Sequence, residues 1–174
     1  MESTTTAKAD NCLRYMQLAL GEAKKSPPKP TNFCVGAVLV DESNDTVLAT
    51  GYTLEMPGNT HAEQSCLIKF ASQHDLPEER VGEVLPASTA IYTTMEPCGK
   101  RSPGNLPCVD RILKTHVSGG GIKKVYVGVK EPETFVGENK GRARLEEAGV
   151  EYVVVPGLED EILKVATAGH VKEE

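Results

Sequence analysis

His61, Glu63, Cys98 and Cys108 are the side chains whose types and spacing could do chemistry. They lie in Thr60-His61-Ala62-Glu63, Glu96-Pro97-Cys98 and Pro107-Cys108. A catalytic zinc site takes three protein ligands and keeps a fourth position for water; an imidazole and two thiolates make such a set. Two thiolates would leave the divalent centre formally neutral, yet still able to acidify a bound water toward neutral pH. Glu63 follows His61 by two residues, too close to be a second ligand on one helical face. Its carboxylate could instead reach the water and the substrate and shuttle protons. Each cysteine directly follows a proline, a residue favoured at the first position of a helix. Both thiols are therefore expected in a first helical turn, where the dipole favours the thiolate that binds metal.

Plainer readings stand beside these. Thr60-x-x-Glu63 reads equally well as a capping box, with Thr60 as N-cap and Glu63 folding back onto it. Cys12, Cys34 and Cys66 are assigned to packing, since a buried cysteine behaves as a small hydrophobe, and His74 and His116 to the surface. What sets the four residues apart is their joint order along the chain: strand, His-x-Glu helix, strand, cysteine pair.

The elements that must position them follow from periodicity. Asp10 can cap a helix running through Leu13, Met16, Leu18 and Leu20, stopped by Pro27-Pro28 and Pro30. Phe33 to Val40 reads as a buried strand, Asp41 to Asp45 as a turn, and Thr46 to Tyr52 as the returning strand of a hairpin. A helix over Ala62 to Ser72, a strand over Thr89 to Thr94 and a helix over Val109 to Lys114 come next. Beyond the break at Ser118-Gly119-Gly120-Gly121 lie a strand (Val125 to Val129), a helix (Gly141 to Ala148), a strand (Tyr152 to Val155) and an amphipathic helix (Leu158 to Ala168). An early hairpin followed by alternating strands and helices predicts an α/β protein, a three-layer α/β/α sandwich with a mixed central sheet. One domain over 9–170 is expected, after a flexible tail at 1–8.

The chain has 174 residues, 39% hydrophobic and 25% charged, with a net charge of −6. These are ordinary globular values. The negative balance, the absence of a long Lys/Arg run and only 5% aromatic residues argue against a nucleic-acid partner. The polar N-terminus and the lack of a long apolar run lead us to expect no membrane partner and a cytoplasmic location. Five scattered cysteines do not make a disulfide framework.

His-x-Glu followed by Pro-Cys and a second cysteine resembles the cytidine-deaminase superfamily, over about Asn32 to Val155. In that signature the Glu is the acid/base and not a ligand. The common second half is Cys-x-x-Cys, whereas nine residues separate Cys98 from Cys108; this departure argues against the nucleic-acid-editing branches. Thr94 to Cys98, the Gly-rich spacer, Pro107-Cys108, Asp110 to Leu113, Gly128 to Pro132 and Val136 to Asn139 resemble the deaminases of riboflavin biosynthesis. The spacer and the segment at 131–139 resemble the fungal single-function enzymes more than the bacterial ones fused to a reductase, for which this chain is expected to be too short.

The resemblance implies Zn²⁺ held by His61, Cys98 and Cys108, and Glu63 as catalytic residue. It also implies a small phosphorylated pyrimidine substrate, 2,5-diamino-6-ribitylamino-4(3H)-pyrimidinone 5′-phosphate, and a homodimer. Cytidine, guanine or blasticidin remains the alternative class of substrate. Asn32, ahead of Val35-Gly36-Ala37, stands where the superfamily's sugar-binding Asn stands. Lys100 and Arg101, in the spacer, are candidate phosphate contacts, with Arg101 favoured for its fork of donors. Gly99, Pro103 and Gly104 would let the spacer fold tightly over a substrate.

Overall fold

The computed structural model describes residues 2–101, 104–131 and 140–170, with side chains from residue 7 onward. Pro103 and the stretch 132–139 lie outside the described residues. Among the described residues, five strands form one sheet in the order β2-β1-β3-β4-β5. They are β1 (Gly36–Asp41), β2 (Thr46–Tyr52), β3 (Thr89–Met95), β4 (Ile122–Val129) and β5 (Glu151–Val154). β1 runs antiparallel to β2 and β3, while β3, β4 and β5 are mutually parallel. The sheet is thus mixed, as expected.

α1 (Glu2–Ala23) and the last helix, α5 (Glu159–Ala166), cover one face. There Met16, Ala19, Leu20 and Ile162 pack on Val38, Val40, Tyr92 and Tyr126. α2 (Ala62–Gln73), α3 (Cys108–Lys114) and α4 (Gly141–Glu147) cover the other. Ala62, Cys66, Leu67, Val109, Ile112 and Leu145 meet Ala37, Leu39, Ile91 and Val125 on that side. Successive strand residues face opposite layers, so β1, covered on both faces, is buried at every position and reads as an unbroken apolar run. A 3-10 helix, Glu78–Glu83, follows α2.

Three local expectations are corrected. α1 begins at Glu2, not at an Asp10 cap; residues 2–9 contain neither Gly nor Pro, so nothing in them stops the helix. Leu18, placed on the apolar face by spacing, is 46% exposed, and Tyr15, Met16, Ala19 and Leu20 form the buried stripe instead. Residues 33–35 fall outside β1, and the amides of Cys34 and Val35 bond elsewhere. The Cys34 N–H donates to the Ala166 carbonyl at the end of α5, and the Val35 N–H donates to Thr53 Oγ1.

Gly51 on β2 shows how tightly α2 is seated. A Cβ there would lie 2.3 Å from the Ala62 carbonyl oxygen, so the helix's first turn rests directly on the strand. Gly51→Ala is expected to destabilise the protein by about 1–3 kcal/mol, the usual cost of overpacking. Chemical denaturation measures it, and an unchanged midpoint would show that α2 can shift at no cost.

Candidate active site

The four singled-out residues meet beyond the carboxyl ends of β3 and β4, where open α/β sheets leave a crevice for ligands. His61 is the N-cap of α2, with extended backbone (φ −91°, ψ 160°). Its Nδ1 lies 3.4 Å from Cys98 Sγ and 3.5 Å from Cys108 Sγ. One donor atom from each of the three residues lies within 4.8 Å of the others, a group that could hold a metal ion. The donor set fits zinc: one borderline nitrogen and two soft sulfurs, converging and mostly buried, with a carboxylate alongside.

The two sulfurs arrive differently from expectation. Cys108 opens α3 with Pro107 as its N-cap, so this thiol does sit in a first turn. Cys98 does not: it lies in the irregular segment after β3. It still meets the start of α3, because the Cys108 N–H donates to Cys98 Sγ at 3.3 Å and the Val109 N–H donates to the Cys98 carbonyl. In the metal-free protein the Cys98 thiol is lowered to about 4 by the hydrogen bond from the Cys108 thiol, then by His61 and the Cys108 amide, against the opposing effect of burial. Cys108 moves up, because its proton is held by the Cys98 thiolate and because it is buried.

Glu63 stands in the first turn of α2 and is only 3% exposed. It is not the reciprocal partner of Thr60. The helix is capped one residue later, where Gln64 Oε1 accepts the His61 N–H at 3.3 Å, and the Thr60 hydroxyl bonds back to Met56. Glu63 is thereby released from capping, and its Oε1 lies 3.1 Å from the Thr93 hydroxyl of β3. Burial pushes its carboxyl above the ordinary glutamate range, against the opposing influence of Cys108, His61 and Thr93.

A cavity of about 270 Å³ opens over these groups, and Asn32, Lys100 and Arg101 all line it. Asn32 is held by its carbonyl, which accepts from His170 Nε2 at 2.9 Å. Lys100 is exposed at the rim and makes no hydrogen bond or ion pair with the described residues. Arg101 is already engaged, donating to Gln64 Oε1 at 3.1 Å, to the Leu106 carbonyl at 3.2 Å and to the Asn59 carbonyl.

The remaining cysteines behave as packing. Cys66 is fully buried with its thiol raised by desolvation, Cys34 points at the Ser26 carbonyl, and Cys12 receives the Tyr92 hydroxyl. His74 is exposed as expected. His116 is half-buried, because its Nε2 reaches the Ile122 carbonyl at 2.6 Å.

Several residues around the site escaped the sequence reading. Thr93 left a signal, a hydroxyl in the middle of a strand buried throughout. Gln64 left another, a Gln three residues after a capping residue. Glu96, which accepts from the Glu131 N–H at 3.0 Å and the Tyr152 hydroxyl at 2.9 Å, left none beyond its place before Pro97-Cys98.

Several known proteins are similar to this chain. The chain is 37% identical over 163 residues to a curated diaminohydroxyphosphoribosylamino-pyrimidine deaminase of Schizosaccharomyces pombe. That match covers 94% of this chain and 36% of the relative, so the chain spans little more than a third of that protein's length. Aspergillus oryzae Rib2 deaminase, a C-terminal deletion mutant, is 52% identical with a TM-score of 0.84, covering 91% of each chain. The same enzyme in complex with DARIPP matches at 50% identity and a TM-score of 0.83, covering 92% of each. A deaminase/reductase of Thermotoga maritima matches at 25% identity and a TM-score of 0.70, covering 91% of this chain and 40% of that one. Residues 10–129, over half of the chain and including all four converging side chains, match the cytidine and deoxycytidylate deaminase zinc-binding region. On that extent of agreement, the chain belongs to the zinc-dependent cytidine and deoxycytidylate deaminase family.

Proposed function

We propose that the chain hydrolyses the 2-amino group of 2,5-diamino-6-ribitylamino-4(3H)-pyrimidinone 5′-phosphate, yielding 5-amino-6-ribitylaminouracil 5′-phosphate and ammonia in riboflavin biosynthesis. The observation that carries the chemistry is the meeting of His61, Cys98 and Cys108 beside the buried Glu63, with His61, Cys98 and Glu63 lining the cavity. The substrate is supported by the likeness to Rib2 deaminase, solved with DARIPP, over 92% of both chains. The fungal character of the spacer favours the ribityl form, since in the fungal order reduction precedes deamination.

In this reading His61 Nδ1, Cys98 Sγ and Cys108 Sγ are the metal ligands. Zinc held there would supply a Lewis acid able to acidify a water near neutral pH. Glu63 takes a proton from the water that attacks C2 and delivers it to the ring nitrogen beside C2, then takes the second proton from the newly attached hydroxyl and passes it to the departing amine. Water supplies the new C–O bond, the exocyclic C–N bond breaks, and the amine leaves as ammonia. The Thr93 hydroxyl, itself anchored 2.6 Å from the Met95 carbonyl, stands against Glu63 Oε1 at 3.1 Å and positions it through both transfers. Asn32 faces the ribityl hydroxyls, and the Lys100 ammonium takes the phosphate as a point charge. The proposal extends, on resemblance alone, to a homodimer and to the cytoplasm. No helix among the described residues is long and apolar enough to cross a membrane.

Ammonia release from the diaminopyrimidinone phosphate, cytidine and guanine, assayed in parallel, tests the assignment. The phosphorylated pyrimidinone is expected to be strongly preferred; a preference for cytidine would overturn it. Thr93→Val is expected to lower kcat about 10- to 100-fold at unchanged zinc content, since it removes a hydrogen bond to an ionisable group. Undiminished kcat in this variant would remove Thr93 from the mechanism.

A further inference from the structure

We infer that Arg101 is a positioning residue for the metal centre: its guanidinium fastens the spacer between the two cysteines to the first turn of α2. The inference rests on the metal reading proposed above. A centre assembled from His61 on one segment and two sulfurs on another needs something to fix the separation of the two. The hydrogen bonds of Arg101 span that gap. Nη1 donates both to Gln64 Oε1 at 3.1 Å and to the Leu106 carbonyl at 3.2 Å, while Nη2 donates to the Asn59 carbonyl.

Each acceptor is close to a ligand. Gln64 Oε1 is the atom that also accepts the His61 N–H, so the guanidinium is one hydrogen bond from the backbone of His61. Asn59 lies two residues before His61. Leu106 lies two residues before Cys108, and its carbonyl accepts a second bond, from Arg111 Nε at 3.1 Å. Arg111 is itself paired with Glu78 just after α2. Two guanidiniums thus grip the carbonyl that leads into Cys108, and one of them also holds the start of α2.

The geometry calls for arginine. Three acceptors on three segments, in different directions, match a planar fork of donors; the single ammonium of lysine cannot reach all three. A phosphate contact would make a different demand, because lysine can serve a phosphate as a point charge.

The test compares zinc-loaded wild type with Arg101→Lys, Arg101→Gln and Gln64→Leu. Zinc affinity is read by chelator competition, folding by circular dichroism, and kcat and KM on the pyrimidinone substrate with and without its phosphate. All three variants are expected to bind zinc about 10- to 100-fold more weakly, the usual effect of losing an outer-shell partner. Lysine should give no rescue, and kcat should fall equally on both substrates. Wild-type zinc affinity in the variants, with a KM rise confined to the phosphorylated substrate and relieved by lysine, would overturn the inference and make Arg101 a phosphate contact. Gln64→Leu leaves the spacer's sequence intact and decides the matter if the Arg101 variants do not fold. Wild type that binds no zinc would sink the metal reading and this inference together; variants that hold zinc as wild type does would sink this inference alone.

Discussion

Glu63→Gln is expected to lower kcat by about 10²- to 10⁴-fold, the range that a positioned general acid–base supplies, while zinc content stays at the wild-type level. Gln keeps the size of the side chain and can still meet the Thr93 hydroxyl, 3.1 Å from Oε1 in the wild type. It cannot take a proton from water or pass one to a ring nitrogen. The three side chains that could hold the metal are other residues, so metal binding should survive. Steady-state kinetics and metal analysis on the same preparation separate the two effects, and a variant retaining both zinc and most of its activity would contradict the role. A second consequence concerns stability. Burial raises the Glu63 carboxyl above its ordinary value of 4.5 in the metal-free protein. Its contribution to stability is therefore fully present below about that value and is lost as pH rises through the raised pKa. Metal-free Glu63→Gln should gain on metal-free wild type as pH increases across that window, in denaturation series at several pH values.

Cys98→Ser is expected to weaken zinc binding by about 10²- to 10³-fold and to abolish measurable turnover at limiting zinc. That range is one ligand's share of the roughly 10–16 kcal/mol with which four-ligand sites bind the metal. The Cys98 thiol is held below its ordinary range by the Cys108 thiol, His61 and the Cys108 amide, which favours the anionic, metal-binding form. A serine hydroxyl in its place stays protonated near neutral pH and offers a poorer, neutral ligand. It can still accept the Cys108 N–H, so the start of α3 has no reason to unravel. Competition with a chromophoric chelator reads the affinity directly. Unchanged zinc affinity would remove Cys98 from the centre.

How much of this was legible in the sequence depended on whether the cause was local. The hairpin is local: the turn at 41–45 and the alternation of Thr46 to Tyr52 give β2 its observed bounds and its antiparallel pairing with β1. The covering of the sheet on both sides could be read from the apolar run in β1. The convergence of His61, Cys98 and Cys108 was legible because residue type and order along the chain carry it. The cap of α2 was misplaced by one residue, since Thr60-x-x-Glu63 and His61-x-x-Gln64 overlap and only packing selects between them. The start of β1 was blurred because the amide of Cys34 is claimed by α5, more than a hundred residues away. Arg101 reaches Gln64 across 37 positions and Tyr152 reaches Glu96 across 56. No local pattern announces such partners, so the groups that brace the site had to be found in the fold.

Elemental analysis of purified, active protein tests the central claim most directly. About one zinc per chain, lost together with activity on chelation and restored with it, is the expected result. Full deaminase activity in protein containing no transition metal would contradict it.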